Sequence, residues 1–143
     1  MEVREARSSE EVDEALQLRE RVFWGEQGVP KEADRDGRDG EALHLVAVRE
    51  GRVIGTCRLV FDGQVAKLGR LVVERPDRRR GVGAALLREA ERAARSARAR
   101  QIALHAQLPA RELYVRQGYV DRGASFMEEG IPHVAMEKPL PDA

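Results

Sequence analysis

Residues 68–87 read Leu-Gly-Arg-Leu-Val-Val-Glu-Arg-Pro-Asp-Arg-Arg-Arg-Gly-Val-Gly-Ala-Ala-Leu-Leu, and the hydrophobic period changes within them. The apolar start is strand-like, whereas Val82, Leu86, Ala90, Ala93, Ala94 and Ala97 mark the buried stripe of a long helix. Its solvated face is Arg88, Glu89, Arg92, Arg95 and Arg98. Between strand and helix, Pro76 and Asp77-Arg78-Arg79-Arg80 lead into Gly81 and Gly83. Those glycines remove side chains where the loop becomes helix, so consecutive backbone N–H groups can face an anion in the positive field of the helix start. A dinucleotide fingerprint would need glycine where Leu86 stands, and no Gly-Lys-Ser/Thr run exists for a Walker loop.

Downstream, Gln101 to Gln107 is a short strand, so strand, helix and strand imply a parallel pairing with a right-handed crossover. Pro109 to Gln117 reads as a helix stopped by Gly118, and Val134 to Lys138 as a last strand. Upstream, Leu43 to Arg49, Arg52 to Phe61 and Gln64 to Val73 are strand-like runs. Glu50-Gly51 and Asp62-Gly63 separate them as tight turns, which gives an antiparallel meander. Ser8 and Glu11 have capping-box spacing, and a helix is expected over Ser9 to Phe23. The Gly- and Asp-rich stretch from Gly25 to Gly40 reads as loop with room for one short helical turn.

Composition narrows the function classes. The 143 residues fit one domain, 1–143, and 25 basic residues balance 25 acidic ones. A neutral chain has no overall field for a polyanion or membrane surface, so no nucleic-acid or membrane partner is expected. The basic residues comprise 22 Arg against 3 Lys, which codon bias toward GC-rich triplets explains. Arg78, Arg79 and Arg80 could suit a phosphate backbone, but no aromatic residues interleave them for base stacking. The single cysteine, Cys57, forms no internal disulfide and completes no cysteine metal site, which favours a reducing, cytoplasmic location. Met1-Glu2-Val3-Arg4-Glu5 lacks a signal-peptide core, and no apolar run spans a bilayer.

Arg78-x-x-Gly81-x-Gly83-Ala84 resembles the acyl-CoA loop of the GNAT superfamily of N-acyltransferases. Leu71-Val72-Val73 resembles the family strand whose backbone pairs with pantetheine. Gln107-Leu-Pro-Ala110-Arg-Glu-Leu113-Tyr114-Val-Arg-Gln-Gly118-Tyr119 is similar to the family's Asn-x-x-Ala-x-x-Phe/Leu-Tyr-x-x-x-Gly-Phe segment. Glu26-Gln27-Gly28, the loop acids up to Asp39, His44, and Gly130-Ile131-Pro132-His133 with Met136 and Lys138 resemble a widespread, poorly characterised bacterial subgroup. The resemblance implies an α/β fold: a mixed, mostly antiparallel sheet flanked by helices on both faces. A central splay between Leu68–Val73 and Gln101–Gln107 would admit acetyl-CoA as co-substrate. It further implies that Leu71, Val72, Val73, Arg78, Arg79, Arg80, Gly81, Val82, Gly83, Ala84 and Gln107 bind acetyl-CoA, with Tyr114 protonating the departing thiolate. No metal is implied. Gln107 stands where the family usually has Asn, and Pro76 lies one position late. Lys67 and Gly69 stand where several relatives carry a Glu or His base, so the base must come from elsewhere or from water.

Any imidazole base is His44, His105 or His133, the only histidines. His44, His133 and Glu26 are the candidates for base or substrate contact, whereas His105 can equally be a satisfied core residue. No His-x-x-x-His spacing supports a three-histidine metal site. Glu26, Glu32, Asp34, Asp36, Asp39 and Glu41 give the long loop an acidic character that would attract a cationic amine. The acceptor expected is a small-molecule amine or a peptide N-terminal or lysine amine, and the chain a monomer or homodimer. Two other readings stand beside it. Arg21, Phe23, Trp24, Asp36 and Arg58 loosely resemble the acyl-homoserine-lactone synthases. A non-catalytic acyl-CoA sensor would keep the loop without needing Tyr114.

Overall fold

Three alternating apolar runs build the centre of the sheet, β2 (Leu43–Arg49), β3 (Arg52–Asp62) and β4 (Val65–Val73), joined as antiparallel neighbours. The computed structural model describes residues 1–141, and the last two positions of the expected 1–143 domain lie outside the described residues. A four-residue strand that the pattern does not announce, β1 (Glu2–Glu5), pairs with β2. The full order is β1-β2-β3-β4-β5-β8-β6, with β5 at Gln101–Gln107, β6 at Val120–Asp121 and β8 at Ile131–Pro139. The short β7 (Phe126–Glu128) pairs with β8. Among the described residues all pairings but one are antiparallel, which gives the mixed, mostly antiparallel sheet expected. The last strand starts three residues earlier than expected because Phe126, Met127 and Glu128 hold its beginning in register.

Side-chain parity assigns the helices to opposite faces. On one face Val46, Val53 and Val72 pack with Ala15, Leu18 and Val22, which belong to α1 (Ser9–Arg19) and the π-helical turn Glu20–Glu26 that continues it. On the other, Leu45, Ala47 and Cys57 pack with Val82, Leu86, Leu87 and Ala90 of α3 (Val82–Ser96). Gly55 on β3 permits the close approach of α3: a Cβ there would meet Val82 Cγ1 at 2.9 Å and Leu86 Cδ1 at 3.1 Å. Ser8 caps α1 by accepting the Glu11 N–H at 3.2 Å. The Glu11 carboxylate turns instead to Arg4 and to the Arg7 N–H. The expected single helix to Phe23 is therefore α-helical to Arg19 and π-helical beyond. The Gly25–Gly40 stretch contains one short turn of helix, α2 (Lys31–Asp34).

A bulge positions the functional cleft. Thr56 faces Val72 and Arg58 faces Gly69, so three steps on β4 match two on β3, and the extra residue is accommodated where Arg70 takes φ 57°. Just ahead of the bulge, past Lys67, β4 leaves β5. Their parallel pairing covers only Val65–Lys67 with Gln101–Ala103, and the two strands are splayed thereafter. Among the described residues no helix is long and apolar enough to cross a membrane.

Candidate active site

The splay opens a cleft of about 1030 Å³. On one wall β4 presents Leu71, Val72 and Val73 to it, and among the described residues no strand pairs with the β5 side of β4 past Lys67. At its end Gly81, with φ 84°, starts α3 without a side-chain cap, so the first N–H groups of the helix have no intrahelical partner. Gly83 lines the cleft and is closed in by α4 (Arg111–Arg116): a Cβ would meet Leu113 Cδ2 at 3.2 Å. Val82 is buried among core residues, so only its backbone faces outward. Arg79 and Arg80 are exposed and immediately precede Gly81, and Ala84 lies in the first turn of the helix.

Arg78 turns away from the loop. Its Nε donates to the Val73 carbonyl at 2.8 Å, and its Nη2 lies 2.9 Å from Glu26 Oε2. This pairing with Arg78, reinforced by Arg75, holds the Glu26 carboxyl below the usual range. Next to it in sequence, Gln27 Oε1 accepts from Gln107 Nε2 at 2.8 Å, so residues 26–27 bridge both walls of the cleft. Glu26 itself does not line it.

Tyr114 lines the cleft from α4 and is only 6% exposed. Its ring meets Tyr119 edge-on at 5.9 Å. The helix ends as expected at Gly118, φ 94°, with the Tyr119 N–H returning to the Tyr114 carbonyl at 3.0 Å. Lys138 fastens this end by donating to Gln117 O at 2.6 Å and Glu91 Oε1 at 2.8 Å. Burial, aided by the neighbouring Cys57, raises the Tyr114 phenol well above its ordinary pKa, so it is protonated at neutral pH. The site thus holds a fixed, protonated O–H donor.

Two sequence expectations need correction. His44 is 8% exposed and bonds through Nε2 to the Asp39 carbonyl at 2.9 Å; it fastens the long loop and does not line the cleft. The acidic loop is not a free anionic lure. Asp34 and Asp39 are paired with Arg19, Asp36 and Asp39 with Arg58, and Asp34 and Asp36 with Arg70. Three guanidinium groups thus neutralise three carboxylates, while Glu41 is paired with Arg38.

His133 does line the cleft, with Nδ1 2.7 Å from the Ile131 carbonyl. Beside it stand His105 and Glu128, whose Nδ1 and Oε1 are 2.9 Å apart. Glu128 is absent from the sequence-derived candidates. The signal available for it was the Phe-Met-Glu segment just before Gly130, too short to register as a strand.

Cys57 is 1% exposed, and burial alone pushes its thiol up to about 12. It cannot serve as an acyl-carrying nucleophile near neutral pH. Iodoacetamide should leave the folded protein unmodified at neutral pH and alkylate Cys57 after unfolding; stoichiometric labelling of the folded protein by mass spectrometry would contradict its burial.

A parallel strand pair forced apart over an uncapped helix start thus sets one cleft into a mixed α/β domain. The acetyltransferase (GNAT) domain family matches residues 4–140, and the chain belongs to that family. It is 34% identical to YjcF, an uncharacterised N-acetyltransferase of Bacillus subtilis, over 93% of this chain and 96% of that one. An acyl-CoA N-acyltransferase from Pseudomonas aeruginosa superposes with a TM-score of 0.86 at 29% identity, covering 96% of this chain and 99% of the other. An aminoglycoside 6'-N-acetyltransferase complexed with coenzyme A shares the fold, with a TM-score of 0.80 at 18% identity over 100% of this chain and 99% of its own.

Proposed function

We propose that the protein transfers an acetyl group from acetyl-CoA to a primary amine by direct attack, with Tyr114 as general acid. The observation that supports this best is one cleft holding both the unpaired edge of β4 at Leu71–Val73 and the buried Tyr114 phenol. The amides of a pantetheine arm can pair with β4 as a further strand would, while N–H groups from Gly81 to Ala84 and the charges of Arg79 and Arg80 suit the phosphates. Arg78 ties the loop to the end of β4, and Gln107 offers its amide from the opposite wall.

The chemistry follows from these placements. A backbone N–H within Leu71–Val73 stabilises the thioester oxygen as charge develops on it. The amine lone pair forms the new C–N bond, the C–S bond breaks, and the Tyr114 hydroxyl gives its proton to the departing sulfur. One proton must leave the ammonium before attack. The second proton lost from nitrogen returns to the phenolate, so the enzyme is restored and charge balances.

Acetyl-CoA at a hundredfold excess over its Kd should stabilise the protein by about 2.7 kcal/mol. Replacing the exposed pair as Arg79→Glu with Arg80→Glu should require roughly tenfold more ligand for the same thermal shift, about 1.4 kcal/mol of binding. An unchanged dose dependence would remove the two arginines from the site.

A further inference from the structure

The cleft lining also contains a group of polar side chains, His105, Glu128 and His133, that the chemistry described so far does not use. Glu128 on β7 is 43% exposed at its side chain and accepts through Oε1 from His105 Nδ1 on β5 at 2.9 Å. Its second oxygen, Oε2, lies 3.5 Å from His133 Nε2 on β8. The His133 side chain is 8% exposed, and its Nδ1 sits 2.7 Å from the Ile131 carbonyl, an acceptor only. Nδ1 therefore carries a hydrogen, and the Nε2 lone pair of the unprotonated ring stands beside a carboxylate oxygen. Phe126 keeps the imidazoles apart, stacking on His133 at 6.1 Å and meeting His105 edge-on at 5.0 Å.

Two acceptors side by side, a lone pair and a carboxylate oxygen, suit a donor with more than one N–H. We infer that Glu128 and His133 form the acceptor subsite: Glu128, oriented by His105, receives a primary ammonium, and His133 Nε2 removes its proton. The inference rests on the N-acetyltransferase reading and supplies the base that Lys67 and Gly69 lack. The ammonium gives one proton to His133, which passes it to solvent; the free amine attacks the thioester carbon, and its second proton follows the Tyr114 route to sulfur. Glu128 supplies the charge complementarity that the neutralised acidic loop does not. His105 is a positioning residue, since it acts through Glu128.

Binding and chemistry are tested separately. In wild-type protein, n-butylammonium chloride should shift the imidazole C–H resonances of His133 and His105 saturably, while tetramethylammonium chloride at equal ionic strength should not. Glu128→Gln, a change at a half-exposed side chain, should weaken that binding at least tenfold. No saturable shift, or an equal response to tetramethylammonium or in Glu128→Gln, would overturn the subsite. With any amine found to be turned over, Glu128→Gln should raise the amine KM about tenfold, and His133→Gln should lower kcat by roughly 10² to 10⁴-fold, the range of general base catalysis. Normal kcat in His133→Gln would overturn its role as base. Saturable butylammonium binding without turnover of any amine would overturn the transferase reading and leave the ammonium subsite supported.

Discussion

Tyr114→Phe should lower kcat by roughly 10² to 10⁴-fold while leaving acetyl-CoA affinity nearly unchanged. The asymmetry follows from where the phenol sits. The ring is held by its edge contact to Tyr119 and by burial, both of which phenylalanine preserves. Only the hydroxyl is lost, and with it the proton for the departing sulfur. Because burial raises the phenol pKa, the donor is fully protonated near neutrality and the loss should not depend on pH between about 6 and 8. A thiolate is a tolerable leaving group, so the effect can fall at the low end of the range. Normal turnover would make Tyr114 a packing residue, with water as proton donor.

Arg19→Met should cost about 3–5 kcal/mol of stability, roughly 10 °C in Tm, although position 19 lies on an ordinary amphipathic helix. Arg19 is 1% exposed, meets Asp39 Oδ1 at 2.7 Å and donates to Asp34 at 3.2 Å. Methionine fills similar volume but leaves Asp34, 2% exposed, and Asp39 short of one counter-charge. The pH dependence has a definite sign. Arg58 holds the Asp36 carboxyl well below its usual range; burial alone would raise Asp39, but Arg19 and Arg58 outweigh it and lower it. Carboxyls depressed in the folded state contribute stability above their unfolded pKa of about 4 and lose it as pH falls through the folded values. The gap between wild type and variant should therefore be full at neutral pH and narrow in acid. A variant melting within about 2 °C of wild type at pH 7 would show that the cluster does not depend on Arg19.

The parts of the fold legible in the sequence are those with enough period to read. The meander, α3, β5 and α4 each have five or more residues in a strand-like run or helical stripe, with turn pairs between the meander strands and Gly118 after α4. By contrast β1 has one wholly apolar residue, Val3, and β7 has three residues, too few for either period to appear. Both strands are set by their partners rather than by their own pattern. The π-helical turn was hidden for a related reason: Gly25 signals a break that the wider helix absorbs.

The site divides along the same line. The glycines of the α3 start and Tyr114 are local features with fixed spacing. The fate of the loop acids was not local, because their partners Arg58 and Arg70 lie on strands brought over by the bulge. Likewise His105, Glu128 and His133 converge only because β7 and β5 both pair with β8.

Acetyl transfer to an amine can be followed by incubating the protein with acetyl-CoA and a panel of alkylamines, polyamines and peptides. Free thiol would be followed alongside the mass of the amine. Amine-dependent thiol release should be matched by an equal amount of N-acetylated amine. Thermal stabilisation by acetyl-CoA with no amine raising thiol release above background hydrolysis would contradict it and favour a non-catalytic acyl-CoA sensor.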